Sequence, residues 1–263
     1  MLKNFKLPTG FPPSLVLKVV QKRHFKHLKM RFCADSTLIV NLPRYVSKRA
    51  CEEFIATNLQ WILKHFDTIK QQEANISLNQ FYLFGQWVEF ETLLLDRELE
   101  SYLQKRLQDF GFEGDCAILM QLWQAVMQEN LLMSPIGAKS KLQSLLRMVY
   151  QKALESYISL HINAISQKMQ LFPKSICYGK SYRQLGCCRA KDQSVRFSLR
   201  LALMPYFCID SVIIHELAHL RYPHHGQDFW NLVRTFDDNP QGIQEWLQAN
   251  YSLNARLYQK IFK

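Results

Sequence analysis

The stretch Val212-Ile-Ile-His-Glu-Leu-Ala-His-Leu220 contains the pattern H-E-x-x-H inside an apolar run. Residues four apart lie on one face of a helix, so His215 and His219 can direct a ring nitrogen at one metal ion. Glu216 follows about a quarter of a turn later, near the ion without binding it. Zinc lowers the pKa of a bound water to about 7, and Glu216 can then accept its proton. The pattern predicts a zinc-dependent hydrolase with Glu216 as the catalytic base.

An ordinary core helix is the alternative interpretation of this stretch. Its two histidines and its glutamate would then be satisfied polar residues with no chemical role. Burial of three such groups in an apolar helix costs free energy unless each has a partner. We therefore favour the metal site.

A third metal ligand is expected after the helix, because a catalytic zinc site commonly has three protein ligands. Pro223 disfavours helix at Tyr222, so the chain should turn there. His224 and His225 follow, and Gly226 gives the backbone freedom to return. From the turn alone, either histidine can reach the ion.

The spacing of His225 also occurs in the metzincin motif, whose third histidine lies six residues after the second. The glycine of that motif is replaced here by Tyr222. No methionine follows Met204, so a Met-turn is impossible. The sequence therefore disfavours the metzincin class.

The length and the net charge of the chain indicate a globular, basic protein. The chain has 263 residues and a formal net charge of +11, with eleven Lys or Arg and one acid in residues 1–50. Residues 51–100 contain three bases and nine acids, and residues 151–200 contain nine bases and two acids. Two basic zones could attract nucleic acid, nucleotides or acidic substrates, or could be a solvated surface with no specific partner.

Cysteine usage and the absence of long apolar runs bear on the compartment. The seven cysteines are odd in number and form no C-x-x-C pair, which disfavours a disulfide framework and fits a reducing compartment. The N-terminus has no signal-peptide pattern, and no apolar run reaches the ~18 residues of a membrane span. We expect a soluble, cytoplasmic protein with no membrane partner.

The N-terminal part is predicted to combine strands with a helix. Three short apolar runs predict strands, namely Leu15–Val20, His27–Cys33 and Thr37–Leu42. Ser47 is a candidate cap for a helix reaching about Ile69, because its apolar positions recur at three and four residues. Segments on either side of Gly85 predict a hairpin, Phe81–Leu83 with Trp87–Thr92.

The rest of the chain is predicted to be mainly helical. Helices are expected over about Arg97–Phe110, Cys116–Asn130, Leu142–Leu171, Phe207–Tyr222 and Gln227–Phe236. Pro135 and Gly137 make Met133–Ser140 the best linker candidate. Alternation over Ser194–Leu201 predicts a half-buried strand just before the motif.

A family resemblance supports and extends this interpretation. The segment from His215 to Trp230, H-E-L-A-H-L-x-x-x-x-H-x-x-x-F-W, resembles the YgjP-like metal-dependent hydrolase family, which is related to the SprT and WLM metalloproteases. The N-terminal strands, the long helix and Arg183-Gln-Leu-Gly-Cys-Cys188 also resemble that family, whose corresponding segment reads R-x-W-G-S-C. Leu185 stands where the family has Trp, and Cys187 where it has Ser.

The resemblance implies an α+β fold, with an N-terminal antiparallel β-sheet and helices followed by a zincin-like helical metallohydrolase core with a short sheet. We predict a β-rich subdomain over 1–95, a helical insertion and linker over 96–140, and the core over 141–263. The resemblance also favours His225 as the third ligand. Tyr182 and Arg183 are candidate substrate contacts, because hydrolysis builds negative charge at the attacked centre; the alternative is a packing Tyr and a surface Arg.

Several functions remain open at this point. Peptide hydrolysis leads, because the strand before the motif could bind an extended peptide by edge pairing. A nucleotide or phosphoanhydride hydrolase is the second interpretation, given the bases of residues 174–200. A nucleic-acid-associated, SprT/WLM-like protease that binds through residues 1–50 is the third, and a structural zinc scaffold the least favoured. One zinc ion per chain is expected, although Mn, Co or Ni also suit such ligands.

Overall fold

The structure, a computed structural model, describes residues 5–33, 37–74, 78–93, 97–109, 120–121, 123–124, 127 and 136–262. The chain divides into two compact units. One comprises Met1–Ile76 with Asn250–Arg256, and the other Ser77–Ala249 with Leu257–Lys263. Among the described residues we find no helix with the length and apolar character that a membrane crossing requires.

The first unit contains a three-stranded sheet of β1 (Leu17–Lys22), β2 (Lys29–Phe32) and β3 (Leu38–Pro43). The order is β1-β3-β2, with β3 antiparallel to β2 and parallel to β1. The N-terminal sheet is thus confirmed; the predicted antiparallel pairing holds for β2 with β3 and is wrong for β1 with β3. The chain reverses direction after β1 and again after β2, so the third strand runs like the first.

Two helices, α1 (Lys48–Thr57) and α2 (Leu59–Ala74), stand where one was predicted. Ser47 caps α1 as expected, since its hydroxyl accepts a hydrogen bond from the Ala50 N–H at 3.2 Å. The helix is interrupted at Asn58, whose backbone leaves the helical conformation (φ −99°, ψ 15°) and whose side-chain amide donates to the Phe54 carbonyl at 2.8 Å. The buried stripe continues across the break: Cys51, Ile55, Ile62, Phe66 and Ile69 pack with the sheet in one core.

The second unit begins with the predicted hairpin, β4 (Gln80–Leu83) and β5 (Gln86–Glu89). Helices α3 (Phe90–Leu93), α4 (Arg97–Asp109) and α5 (Ile136–Met169) follow. The predicted helix Cys116–Asn130 lies largely outside the described residues, as do residues 133–135 of the predicted linker. Residues 136–140 are helical, so α5 begins earlier than expected.

A second three-stranded sheet leads to the histidine motif. It consists of β6 (Ser175–Gly179), β7 (Gly186–Arg189) and β8 (Ser194–Ser198), in the order β6-β8-β7. The strands β6 and β7 were not predicted, because neither short segment alternates between apolar and polar residues. The strand β8 ends at Ser198, before the predicted end, since the Ser198 hydroxyl accepts from the Arg200 N–H and starts a 3₁₀ helix, Leu199–Leu203.

Four helices complete the chain: α6 (Tyr206–Ala218), α7 (Gln227–Phe236), α8 (Gly242–Ala249) and α9 (Tyr251–Phe262). The long helix α5 packs against the 3₁₀ helix and α6, and the Tyr157 hydroxyl donates to Asp210 Oδ1 at 3.0 Å. The α+β class with a helical core and a short second sheet is confirmed. The predicted three-part domain division stays a prediction.

We expect that the turn of the β4–β5 hairpin requires glycine at position 85. Its φ is 80°, and a Cβ atom there would lie 2.8 Å from the backbone nitrogen of Pro205. Gly85→Ala should therefore lower the free energy of unfolding by about 1–3 kcal/mol, measured by chemical denaturation. The control is Gly179→Ala, where the added methyl meets only the Arg196 side chain, at 3.3 Å, and the change should stay within about 0.5 kcal/mol. Equal losses in both variants would contradict this account.

Candidate metal centre

The histidine motif occupies the last turns of α6, a helix buried on most of its surface. The helix was predicted to reach Tyr222 but ends at Ala218. The cause is a tightening of the backbone: the Leu220 N–H donates to Leu217 and the Arg221 N–H to Ala218, each three residues back. The chain then turns before α7, and this turn returns His225 to the helix end.

Three imidazoles converge at this turn. Nε2 of His225 lies 3.1 Å from Nε2 of His215 and 3.1 Å from Nε2 of His219. A tetrahedral zinc ion with Zn–N bonds of about 2.0–2.1 Å separates its ligand nitrogens by about 3.3 Å. One ring nitrogen from each of the three histidines lies within 4.8 Å of the other two, so the group could hold a metal ion. His224 is exposed and is not a member of this group.

The surroundings favour the neutral form of His215 and His219 and orient the His219 ring. Nδ1 of His219 lies 3.0 Å from the Tyr222 carbonyl, so an Nδ1–H donor leaves the Nε2 lone pair free. Burial, with the neighbouring His219 and His225, lowers the pKa of His215 to about 4. Burial also lowers the pKa of His219. Neutral imidazole is the form that binds metals.

Phe229 of α7 supports the three rings from one side. It is 1% exposed, and its ring centroid lies 4.9, 4.5 and 4.8 Å from those of His215, His219 and His225. This packing restricts the rotation of all three imidazoles. Phe229 thereby packs α7 onto the end of the motif helix.

Glu216 is buried beside these rings, with 5% of its surface exposed. Its carboxylate accepts a hydrogen bond from the Cys188 N–H, while its Oε2 has no partner among the described residues. Burial raises the pKa of Glu216 to about 7, and the Cys188 N–H opposes that shift. A buried carboxylate oxygen without a partner is costly in a closed core. It suits a site that receives an ion and water.

The carboxylate fits only because position 186 is glycine. A Cβ atom at Gly186 would collide with Oε1 of Glu216 and lie 2.5 Å from its Cγ. Sequence reasoning missed both Gly186 and the Cys188 backbone as parts of the site. The sequence feature that could have identified them is the segment Arg183–Cys188. It resembles a family segment, but no strand was predicted there.

Among the described strands β7 is paired only with β8, so its other edge, which lies next to Glu216, is free within the described part of the chain. The Ser198 N–H donates to the Leu185 carbonyl at 2.8 Å, and hydrogen bonding alternates along an antiparallel pair. The backbone groups of Gly186 and Cys188 therefore point away from β8, in agreement with the Cys188 bond to Glu216. The prediction that the strand before the motif offers its edge to a peptide is wrong, because β8 is central and both its edges are paired.

Tyr182 and Arg183 lie in the connection between β6 and β7. The Tyr182 carbonyl accepts from Arg200 at 2.8 Å, and the Arg200 guanidinium stacks 4.4 Å from the Tyr182 ring. The ring of Tyr258 lies 5.0 Å away, so Tyr182 has a packing role. Arg183 is exposed. Contact of either residue with substrate stays a prediction.

Comparison with known families agrees with this geometry. A family model described as YgjP-like, metallopeptidase domain, matches residues 26–250, which is most of the chain. The chain belongs to the YgjP-like metallopeptidase family. Membership implies a metal-dependent hydrolase and confirms the resemblance seen in the sequence. Neither the curated proteins nor the solved structures that were compared with the chain give a match.

We predict that the YgjP-like centre binds one divalent ion through the three converging imidazoles. His219→Ala removes one of the three nitrogens, so bound zinc should fall well below one equivalent after dialysis, measured by elemental analysis. The matched control is His224→Ala, which removes a neighbouring imidazole outside the group and should keep the ion. Equal zinc contents in the two variants would show that His219 is not a ligand.

Proposed function

We propose that this YgjP-like protein is a zinc-dependent peptidase in which His215, His219 and His225 hold the ion and Glu216 is the general base. The observation that carries the proposal is the position of Glu216. Its carboxylate lies on the same helix as two of the converging imidazoles and is seated against the free edge of β7. Zinc suits three imidazole ligands, and a fourth position remains for water or substrate.

A bound zinc ion would supply Lewis acidity, which polarises a water molecule and the carbonyl of the scissile bond. The chain supplies the proton transfers. Glu216 accepts the proton of the attacking water at Oε2 and then delivers it to the nitrogen of the departing amine. Its buried position beside the imidazoles, with Oε2 unpartnered among the described residues, suits both steps. The Cys188 N–H holds the carboxylate in place throughout.

The edge of β7 favours a peptide as the substrate. Gly186 offers its N–H and its carbonyl, and Cys188 offers its carbonyl, on the side that faces away from β8. An extended peptide that adds to this edge would place its backbone alongside Glu216. A nucleotide or phosphoanhydride has no backbone to pair in this way, which is why we rank that hydrolase second. Contact of Tyr182 and Arg183 with the substrate remains part of the proposal.

Glu216→Gln is expected to abolish turnover while leaving the ion and the fold intact. Glutamine keeps the shape of the side chain but cannot accept a proton, and loss of a general base typically costs about 10²–10⁴-fold in rate. Hydrolysis of a mixed-sequence peptide library by zinc-loaded protein is the measurement, with zinc content and Tm alongside. Glu245→Gln, a matched change on α8, should leave hydrolysis unchanged.

Three results would overturn the assignment. Retained peptide hydrolysis by Glu216→Gln would show that another group is the base. Loss of zinc or of folding in that variant would show that Glu216 is structural. Turnover of nucleoside triphosphates by the wild type, with no peptide cleaved, would establish the second hydrolase instead.

A second function, nucleic-acid association, is supported by one face of the N-terminal sheet. In the strand register, Ile39 of β3 lies opposite Lys18 of β1 and opposite Arg31 of β2. The three side chains therefore lie on the same face of the sheet. Lys22 and Lys29 occupy the same face. These four cations are exposed, and β1, β2 and β3 contain no acid. Such a face attracts phosphates of any sequence.

We predict salt-sensitive binding of single-stranded DNA, RNA or heparin to this basic face. The double variant Lys29→Gln/Arg31→Gln should weaken binding and reduce the slope of log K against log salt by about 1–2, because each phosphate contact contributes about 0.7–0.9. The control Lys168→Gln/Arg234→Gln removes the same charge elsewhere. No binding of any polyanion at low salt, or equal effects in both double variants, would end this interpretation.

A further inference from the structure

A cavity of about 250 Å³ lies on the outer face of the second sheet. Its lining includes three cationic side chains, Lys180, Arg189 and Arg196, and no carboxylate. Asp192, in the turn between β7 and β8, is the acid nearest in sequence to Arg189 and does not line the cavity. The cavity is therefore a concave, positively charged site within the same unit as the histidine cluster.

Strand register places this cavity beside the strand that borders Glu216. Arg196 of β8 is paired with Cys177 of β6 on one side and with Cys187 of β7 on the other. Side chains alternate between the two faces of a sheet, so Cys187 and Arg189 face the cavity while Cys188 faces the other way. The opposite face is apolar, and its Val195 is fully buried.

The cations of the cavity are not neutralised by ion pairs within the described part of the chain. Arg196 donates from Nε to the Cys177 sulfur at 3.4 Å, and a thiol is only a weak acceptor. None of the three cations forms a salt bridge with a described residue. Guanidinium and ammonium donors in a concave site bind carboxylate or phosphate oxygens, arginine with two parallel hydrogen bonds.

We propose that this cavity is an anion-binding subsite that takes acidic side chains, carboxylate or phosphate, from a peptide bound along the free edge of β7. The proposal rests on the proposed peptidase function. Every second side chain of a strand added to β7 faces the cavity, and the side chains between them face away. The enzyme should therefore prefer anionic residues at two positions separated by one residue, and not at the position between them.

The test is a binding experiment that does not depend on turnover. Fluorophore-labelled eight-residue peptide pools, each with one position fixed as Glu, phosphoserine, Gln or Lys, are titrated against zinc-loaded Glu216→Gln protein at low salt. Glu and phosphoserine pools should bind about 3- to 10-fold more tightly than Gln pools at the two alternate positions, the range expected for exposed charge pairs in a concave site. The preference should decline as salt increases.

Charge reversal makes the test specific to the cavity. Arg189→Glu, added to Glu216→Gln, should shift the preference at one of these positions from Glu to Lys, and Arg196→Gln should reduce the ratio of Glu to Gln binding. Lys168→Gln removes a cation of α5 that does not line the cavity, and it should leave the ratio unchanged. Comparison of Glu with phosphoserine pools identifies which anion the subsite binds better.

The two proposals fail in different ways. Equal binding of Glu and Gln pools at every position, or a preference that survives in both Arg189→Glu and Arg196→Gln, would overturn the subsite. Peptide cleavage by the wild type with no anionic preference would overturn the subsite and leave the peptidase function standing. An anionic preference in binding, with no peptide cleaved by the zinc-loaded wild type, would overturn the peptidase function alone.

Discussion

The burial of the Glu216 carboxylate against β7 is the interaction on which the rest of the site depends. A carboxylate loses hydration when it leaves water, so its position must be compensated by a donor. The Cys188 N–H is that donor, and it is available only because β7 is an edge strand whose alternate backbone groups point outwards. Gly186 is the second requirement, because any side chain at that position would collide with the carboxylate.

The contact of Glu216 with β7 connects the second sheet to α6. Packing within the second unit holds both elements in place. The 3₁₀ helix Leu199–Leu203 joins β8 to α6 and is fully buried. The hairpin turn is attached to it, since the Phe84 N–H donates to the Ala202 carbonyl at 2.8 Å. The helix α5 is attached to α6 through the bond from Tyr157 to Asp210. Glu216 and the three imidazoles are thus carried by elements with little freedom to move apart.

The two sheets share a topology but present different chemistry. In each, the third strand is central, parallel to the first and antiparallel to the second. In the N-terminal sheet the exposed face carries four cations, which suits an extended polyanion. In the second sheet the cations line a cavity beside an edge strand, which suits single anionic groups of a chain lying along β7. The two basic zones of the sequence thus correspond to two surfaces, one on the N-terminal sheet and one at the cavity of the second sheet.

The sequence by itself indicated His215 and His219 as candidate metal ligands, because their spacing places both on one face of a helix, and Pro223 predicted the turn that follows. From that turn alone, the sequence did not distinguish His224 from His225. It also determined the long helix, the hairpin and the N-terminal strands, whose apolar periods are local. It did not reveal β6 and β7, because neither segment alternates between apolar and polar residues; both strands pair with β8. Hence Gly186, the Cys188 donor and the free edge beside Glu216 were decided by tertiary structure. These are contacts between segments distant along the chain, and no local pattern encodes which backbone groups remain unpaired when a sheet assembles.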